Sequence, residues 1–118
     1  MSYESGDTTS AAVVAYEATN NVFDGLLKEV RELSKKKPEA TLSAGKVKII
    51  NRILIDIREF LIDEPEGKYL DLLSDEELPQ HSDAVLVMVQ FEAAIKEFNK
   101  RYHDWQSGWK ISKRKTRS

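Results

Sequence analysis

The sequence contains no cysteine and few residues that interrupt helices. Without cysteine, the chain has no disulfide, no thiolate nucleophile and no cysteine-ligated zinc site, and a reducing compartment is permitted. Only five glycines and three prolines occur in 118 residues, which favours long helices over a turn-rich sheet protein. No run of about eighteen apolar residues is present, so we predict no membrane-spanning helix. The first residues lack the features of a signal peptide, and a cytoplasmic location is therefore expected.

The sequence also lacks recognisable signatures of catalysis, metal binding or cofactor binding. No serine lies in a nucleophile-elbow context, and no glycine-rich loop is suited to cradle a phosphate. The two histidines, His81 and His103, are accompanied by no pattern of further ligands. Asp56, Glu59 and Asp63 share one helix face, a pattern more typical of a solvated acidic surface than of a metal cluster. We therefore predict a protein that is not an enzyme and has no metal or cofactor; an enzyme with an acidic metal site is the weakest alternative.

Length and composition indicate one small domain with its charge sorted along the chain. A chain of 118 residues with 41% apolar and 32% charged residues is typical of a single folded domain. The net charge of −2 combines +5 in the last nine residues with −7 in the remainder. We predict a flexible N-terminus at residues 1–7, a helical bundle domain at residues 8–111 and a flexible basic tail at residues 112–118.

The most informative segment is residues 84–105, where large side chains recur at alternating steps of three and four. They are Met88, Phe91, Ile95, Phe98, Tyr102 and Trp105. This spacing places them on one face of a long helix, which needs other helices to cover it. Ser82 is the predicted N-cap of this third helix, and Gly108 is its predicted stop.

Two further helices are predicted before this segment. The apolar stripe of the first helix is Ala12, Tyr16, Thr19, Phe23, Leu26, Val30 and Leu33. Asp7, Thr8 and Ser10 are acceptable N-caps for this helix, and Pro38 ends it. The apolar seam of the second helix is Val47, Ile50, Leu54, Ile57 and Leu61. Ser43 is the predicted N-cap of the second helix.

The second and third segments have an alternative interpretation as strands. β-branched residues alternate along residues 47–57 and again along residues 85–91, and such residues favour strands. We prefer helices because each segment runs about twenty residues without a glycine-containing turn. Between the two segments, Pro65 and Gly67 break the second helix, and one or two short helices are predicted at residues 69–77.

These patterns predict an all-α fold, an antiparallel helical bundle of three long helices plus one or two short helices. The third helix is apolar on most sides in its first half and is expected to be central. Helices with apolar faces this wide have more apolar surface than the core of one small domain can bury. This excess favours a homodimer or a complex with another protein. The leading functional prediction is a non-catalytic helical interaction protein, such as an adaptor, an inhibitor or a small subunit of a larger assembly.

The predicted partner-binding residues lie near the end of the third helix. Arg101, Trp105 and Trp109 are of the types that dominate protein interfaces. Trp105 continues the apolar stripe and is expected to be buried, whereas Trp109 follows Gly108 and is expected to be exposed.

The alternative function is a nucleic-acid-binding accessory protein that uses the basic C-terminal tail. Cations there would contact phosphates and give salt-sensitive, sequence-independent affinity. The cationic residues are Lys110, Lys113, Arg114, Lys115 and Arg117. The acidic remainder of the chain counts against nucleic acid as the main ligand.

Overall fold

The computed structural model of the protein describes residues 7–112 and is mostly helical. Its elements are α1 (Ser10–Lys36), α2 (Ala44–Phe60), a 3-10 helix (Pro65–Tyr69), α3 (His81–Tyr102), β1 (His103–Asp104) and β2 (Gly108–Trp109). The prediction of a helical fold is confirmed, since 67% of the described chain is helical. The small antiparallel sheet of β1 and β2 was not predicted.

Helix α1 begins and ends close to the positions that the sequence indicates. Its N-cap is Thr9, one residue away from two of the predicted caps, and the Thr9 hydroxyl accepts a hydrogen bond of 3.1 Å from the backbone N–H of Ala12. The helix ends at Lys36, and the N–H of Lys37 donates to the carbonyl of Leu33. The predicted stop before Pro38 is therefore confirmed, because a proline there cannot continue the helical hydrogen bonds.

Helix α2 matches its prediction most closely. The hydroxyl of Ser43 accepts a hydrogen bond of 3.2 Å from the N–H of Lys46, which confirms Ser43 as the N-cap. All five residues of the predicted seam are buried, and the alternative interpretation as a strand is wrong. The apolar residues beside this seam differ in burial, because Phe60 is buried while Ile49 is 52% exposed and Ile62, just after α2, is 63% exposed.

Residues 70–73, which follow the 3-10 helix, are held in place by side chains of α2 and form no helix. Asn51 donates to the carbonyl of Leu73 at 2.9 Å and accepts from the N–H of Leu73 at 3.0 Å. Arg58 donates to the carbonyl of Leu70 at 3.2 Å. These bonds keep residues 70–73 non-helical, so the predicted short helix there is wrong and the short helix lies earlier. A Cβ on Gly67 would lie 2.6 Å from a carbonyl oxygen, and only glycine fits this turn.

Helix α3 starts one residue before its predicted cap and is fastened to the end of α1. Its N-cap is Gln80, and His81 is the first helical residue. The backbone N–H of His81 donates to the carbonyl of Ala40 at 2.8 Å. The ring Nδ1 of His81 lies 2.8 Å from the carbonyl of Lys37, so this nitrogen carries the proton and donates. His81 is therefore a structural histidine.

The helices bury a continuous core in which α1 has the central place. α1 packs against both α2 and α3, so the prediction that α3 is central is wrong. Five members of the predicted α3 stripe are fully or almost fully buried, namely Met88, Phe91, Ile95, Phe98 and Tyr102. On the opposite face of α3, Leu86 is 65% exposed. One apolar face of α3 is thus enough to fill the core against α1.

Candidate partner-binding site

The end of α3 turns into a short hairpin that carries both tryptophans. The helix stops at Tyr102, and His103 and Asp104 pair with Trp109 and Gly108 respectively. Gly108 has a φ of 82°, a left-handed conformation that glycine adopts without strain. The prediction that Gly108 stops α3 is wrong, because α3 ends six residues earlier, at Tyr102. Gly108 instead allows the chain to reverse into the hairpin.

Hydrogen bonds order the turn and tie the hairpin to the start of the chain. A carboxylate oxygen of Asp104 accepts from the N–H of Gln106 at 2.8 Å, and this bond holds the pKa of Asp104 below its usual value. The N–H of Lys110 donates to the carbonyl of Tyr102 at 2.7 Å. The N–H of Thr8 donates to the carbonyl of Lys110 at 2.8 Å. The hairpin is therefore a fixed part of the fold.

Trp109 packs onto the aromatic end of the core, contrary to the prediction that it is exposed. Its ring centroid lies 5.1 Å from that of Tyr16, 5.9 Å from that of Phe98 and 4.7 Å from that of His103. Its indole N–H donates to a carboxylate oxygen of Glu17 at 3.3 Å. Trp109 is half-buried and fastens the hairpin to α1.

Trp105 is 88% exposed, and the prediction that it is buried is wrong. The apolar spacing of the stripe places position 105 on the core face only if the helix continues, and α3 has already ended at Tyr102. Trp105 instead lies at the tip of the hairpin, between β1 and β2. A sequence signal for this was present, since Asp104, Ser107 and Gly108 are turn-forming residues clustered between two aromatic positions.

We expect the two tryptophans to respond differently to acrylamide in the free protein. The variants Trp109→Phe and Trp105→Phe each leave one indole to report. Trp105 should be quenched almost as readily as free tryptophan, because its side chain is exposed, whereas Trp109 should be partly protected by the rings around it. Stern–Volmer plots measure this difference. Equal quenching of the two indoles would contradict the placement of the hairpin.

Arg101, the third predicted partner-binding residue, is engaged inside the protein. Its guanidinium nitrogens lie 2.6 Å from a carboxylate oxygen of Glu64 and 3.0 Å from one of Glu66. The hydroxyl of Tyr102 also donates to Glu64 at 3.0 Å. The side chain of Glu64 is only 4% exposed, so Arg101 supplies the positive charge for a buried carboxylate. The sequence gives no sign of this pairing between residues far apart in the chain.

The two carboxylates around Arg101 have opposite pKa shifts. Burial raises the pKa of Glu64 above its ordinary value of 4.5, and the hydrogen bonds from Tyr102 and Arg101 offset only part of that rise. Burial also acts on Glu66, but it is outweighed by the hydrogen bond from Arg101, a backbone N–H bond and the charge of Arg101, so the pKa of Glu66 is lowered. The more exposed carboxylate therefore stays charged more easily.

The raised pKa of Glu64 predicts a pH dependence of stability. As the pH falls from about 7 towards 4.5, the folded state takes up a proton at Glu64 before the unfolded state does, which favours folding. Glu66 acts in the opposite direction, but only below 4.5, as its lowered pKa is approached. Urea unfolding should show the wild type gaining stability relative to Glu64→Gln across this range. A difference between the two proteins that is independent of pH would contradict the shift.

A cleft with a volume of ≈ 250 Å³ lies between α1 and α3. It is lined by Tyr16, Asn20, Phe23, Asp24, Glu92, Ile95, Lys96 and Asn99. Glu92 in this cleft lies 3.2 Å from Arg31 and 3.9 Å from Lys96. The pair with Arg31 joins α1 to α3, whereas the pair with Lys96 lies within α3. The charged residues of this cleft therefore have a structural role.

Lys110 is exposed just after the hairpin, whereas the other predicted nucleic-acid-binding residues lie outside the described range. Those residues are Lys113, Arg114, Lys115 and Arg117. Among residues 7–112, no group of three or more His, Asp or Glu side chains is arranged to hold a metal ion. Within the same range, no helix combines the length and apolar character needed to cross a membrane. No protein-family model matches the chain, and neither a curated protein nor a solved structure matches it.

Proposed function

We propose that the protein is a non-catalytic helical interaction protein, an adaptor, inhibitor or small subunit, that binds a protein partner through its C-terminal hairpin. The observation that carries the proposal is the 88% exposure of Trp105 at the tip of a hydrogen-bonded turn. An exposed indole contributes little to the core of its own domain. Tryptophan buried in a partner's pocket is among the largest contributors to binding free energy.

The way the hairpin is held supports this role. Trp109 and the backbone bonds to Thr8 and Tyr102 fix the base of the hairpin on the helical body. A fixed turn loses little conformational entropy when its tip is bound, so more of the contact energy of Trp105 becomes affinity. In this proposal Trp105 is the anchor and Trp109 holds the hairpin that carries it on α1.

Charge indicates the kind of partner. Lys110 is exposed beside the hairpin, and the last nine residues of the chain carry a net charge of +5. An apolar pocket that is bordered by acidic side chains would complement both the indole and the cations. We therefore propose a protein partner with an acidic rim around an aromatic-accepting pocket.

The arrangement and location of the protein are part of the same proposal. We propose that the three helices form an antiparallel bundle, since the end of α1 meets the start of α3 at His81 and the start of α1 meets the hairpin at Glu17. We also propose self-association and a cytoplasmic location, which the lack of cysteine permits. Self-association is supported by the apolar side chains left exposed, among them Val14, Val22, Ile49, Ile62 and Leu86.

Comparative affinity purification from the native host tests the proposal. The bait proteins are the wild type, Trp105→Ala and the matched control Gln106→Ala, which changes an exposed neighbour but leaves its backbone N–H bond to Asp104. Quantitative mass spectrometry should show proteins that are retained by the wild type and by the control and lost with Trp105→Ala. Identical retention by all three baits would contradict the role of Trp105.

The second candidate function is nucleic-acid binding, and the same exposed indole favours it. Single strands bind to aromatic side chains that stack on bases and to cations that contact phosphates. Trp105 and Lys110 offer one of each, with the basic tail following. A gel shift with random single-stranded DNA at increasing salt separates the two functions. A complex that requires Trp105 and weakens steeply with salt would favour nucleic acid over a protein partner.

A further inference from the structure

The segment at residues 108–112, which contains β2, directs alternate main-chain groups towards the rest of the protein. The N–H of Lys110 donates to the carbonyl of Tyr102 at 2.7 Å, and its carbonyl accepts from the N–H of Thr8 at 2.8 Å. The N–H of Ser112 donates to the carbonyl of Thr8 at 2.9 Å. The N–H groups of Lys110 and Ser112 therefore face β1 and the residue that precedes the cap of α1.

The main-chain groups of Trp109 and Ile111 point the other way. In an antiparallel pair, facing residues alternate between pairs that exchange hydrogen bonds and pairs that do not. The bond from Lys110 to Tyr102 makes the adjacent pair one that exchanges none. That pair is His103 with Trp109, and the N–H of His103 donates into α3 instead. Within residues 7–112, no hydrogen bond reaches the main-chain N–H or C=O of Trp109 or Ile111. We refer to these four groups as the outer edge.

The outer edge lies at the surface of the protein. Ile111 is 41% exposed, Lys110 is also exposed, and Trp109 is half-buried because its ring packs on the core. Unpaired main-chain groups along the edge of a sheet are a template for another strand. An extended segment that lies beside residues 109–111 can form about four main-chain hydrogen bonds, one with each group of the outer edge.

Charge disfavours a second copy of the outer edge as the occupant and favours an acidic segment. When two copies pair antiparallel in the register that uses all four groups of each, the Lys110 side chains lie opposite one another. Like charges that face each other across two strands are destabilising, and proteins use lysine at edge strands to prevent such pairing. An acidic side chain opposite Lys110 instead forms a favourable cross-strand pair. The last nine residues, which begin at Lys110, carry a net charge of +5 and attract the same kind of segment.

We propose that the outer edge binds an extended, acidic segment of the protein partner, which pairs with residues 109–111 as an additional strand. This inference rests on the proposed function and names the part of the partner that lies beside Trp105. The turn at residues 105–107 directly precedes β2, so a segment that continues two or three residues past Trp109, about 7–10 Å, reaches the exposed indole. The main-chain bonds position the segment, and the indole adds affinity.

Amide hydrogen exchange, followed by nuclear magnetic resonance, tests the outer edge in the free protein. The bonded N–H groups of Lys110 and Ser112 should exchange at least about tenfold more slowly than in an unstructured peptide. Those of Trp109 and Ile111 should exchange at close to the rate of an unstructured peptide. Comparable protection of all four would show that the outer edge is already covered and would overturn the proposal. Protection of Trp109 and Ile111 that rises with protein concentration would assign the edge to a second copy and overturn it as well.

A defined peptide tests the occupant. The probe is a peptide of about ten residues, ~33 Å when extended, in which valine alternates with glutamate; the matched control has lysine in place of glutamate. With about four main-chain bonds, we expect the acidic peptide to bind with a dissociation constant of about a millimolar. Near saturation it should slow the exchange of the Trp109 and Ile111 amides, and the lysine peptide should bind at least about tenfold more weakly. Equal binding of the two peptides would overturn the acidic character of the segment. Chemical shifts that change at Trp105 without protection of Trp109 and Ile111 would overturn the strand pairing, and so would an acidic peptide that does not bind.

A proline substitution tests the main-chain bonds directly. Ile111→Pro removes the N–H that the outer edge donates and removes no bond to β1 or Thr8, and proline is tolerated at sheet edges. The acidic peptide should bind Ile111→Pro about fivefold more weakly, the effect of one lost hydrogen bond, and should bind the matched control Ile111→Val as it binds the wild type. Slow exchange of the Lys110 amide shows that the hairpin of each variant is intact. Unchanged affinity for Ile111→Pro would overturn the strand pairing.

Ile111→Pro as an additional bait in the affinity purification separates this inference from the proposed function. Partners lost with Trp105→Ala and weakened with Ile111→Pro are the expected result. Partners lost with Trp105→Ala and fully retained by Ile111→Pro would overturn the strand pairing and leave the hairpin as the binding site. Partners retained equally by both variants and the wild type would overturn the inference together with the function on which it rests.

Discussion

Replacement of Phe91 by alanine should destabilise the protein by about 3–5 kcal/mol, the typical cost of removing a large buried aromatic side chain. Phe91 is fully buried in the middle of the α3 stripe. Its loss removes apolar burial and leaves a cavity that tightly packed neighbours refill only in part. Such a loss is a large share of the 5–15 kcal/mol that stabilises a typical domain. Urea unfolding followed by circular dichroism measures the change.

Leu86→Ala is the matched control for Phe91→Ala. Leu86 lies on the same helix but is 65% exposed, so the change in unfolding free energy should stay within about 0.5 kcal/mol. Similar losses for the two variants would mean that the faces of α3 are assigned wrongly.

Removal of Arg101 should be nearly as damaging, since leaving a buried charge without its partner typically costs about 3 kcal/mol or more. Glu64 keeps its charge partner in the wild type at 2.6 Å, and its side chain is 4% exposed. Without the guanidinium, the carboxylate must either stay charged and buried without compensation or take up a proton. The pKa of Glu64 should then rise further, so Arg101→Ala should be least destabilising at low pH.

A second substitution tells charge compensation apart from simple loss of packing. In Arg101→Ala/Glu64→Gln, the buried carboxylate is replaced by a neutral amide that can still accept from the hydroxyl of Tyr102. Much of the lost stability should return, because no uncompensated charge remains. A double variant as unstable as Arg101→Ala would show that Arg101 matters through packing alone.

The helices could be predicted from the sequence because their signals are local. Ser43 caps α2, and the seam from Val47 to Leu61 is buried, since spacing within one helix decides which side chains share a face. Pro38 likewise ends α1 by local geometry. Which helix is central could not be predicted in this way, because all three helices have apolar faces and the relative placement depends on how they pack.

The hairpin could not be predicted from spacing, because a long-range contact fixes where α3 ends. Residues 84–105 continue the helical pattern up to Trp105, yet the chain leaves the helix after Tyr102. The bonds that favour this exit run to Thr8, at the other end of the chain. Asp104 and Gly108 are turn-forming residues, but they are compatible both with a helix that continues to Trp105 and with one that ends at Tyr102.

The ion pair of Arg101 could not be predicted either, because it joins residues that are far apart in the chain. Glu64 lies in an acidic segment that suggests a solvated surface, and nothing local marks it as the one buried carboxylate among its neighbours. Only the packing of α3 against the 3-10 helix brings Arg101 and Glu64 together. In the sequence, Arg101 resembles a binding residue because it lies near two tryptophans. In the fold, its contacts are structural.

The claim that Trp105 anchors a partner is tested most directly by measuring the affinity of a captured partner for variants at this position. Isothermal titration calorimetry with the purified partner compares the wild type, Trp105→Ala and Gln106→Ala. An anchor residue that contributes about 2 kcal/mol or more corresponds to a loss of at least about thirtyfold in affinity. We predict that loss for Trp105→Ala and a change below about twofold for Gln106→Ala. Equal affinity of the partner for Trp105→Ala and the wild type would contradict the claim that the exposed hairpin is the binding site.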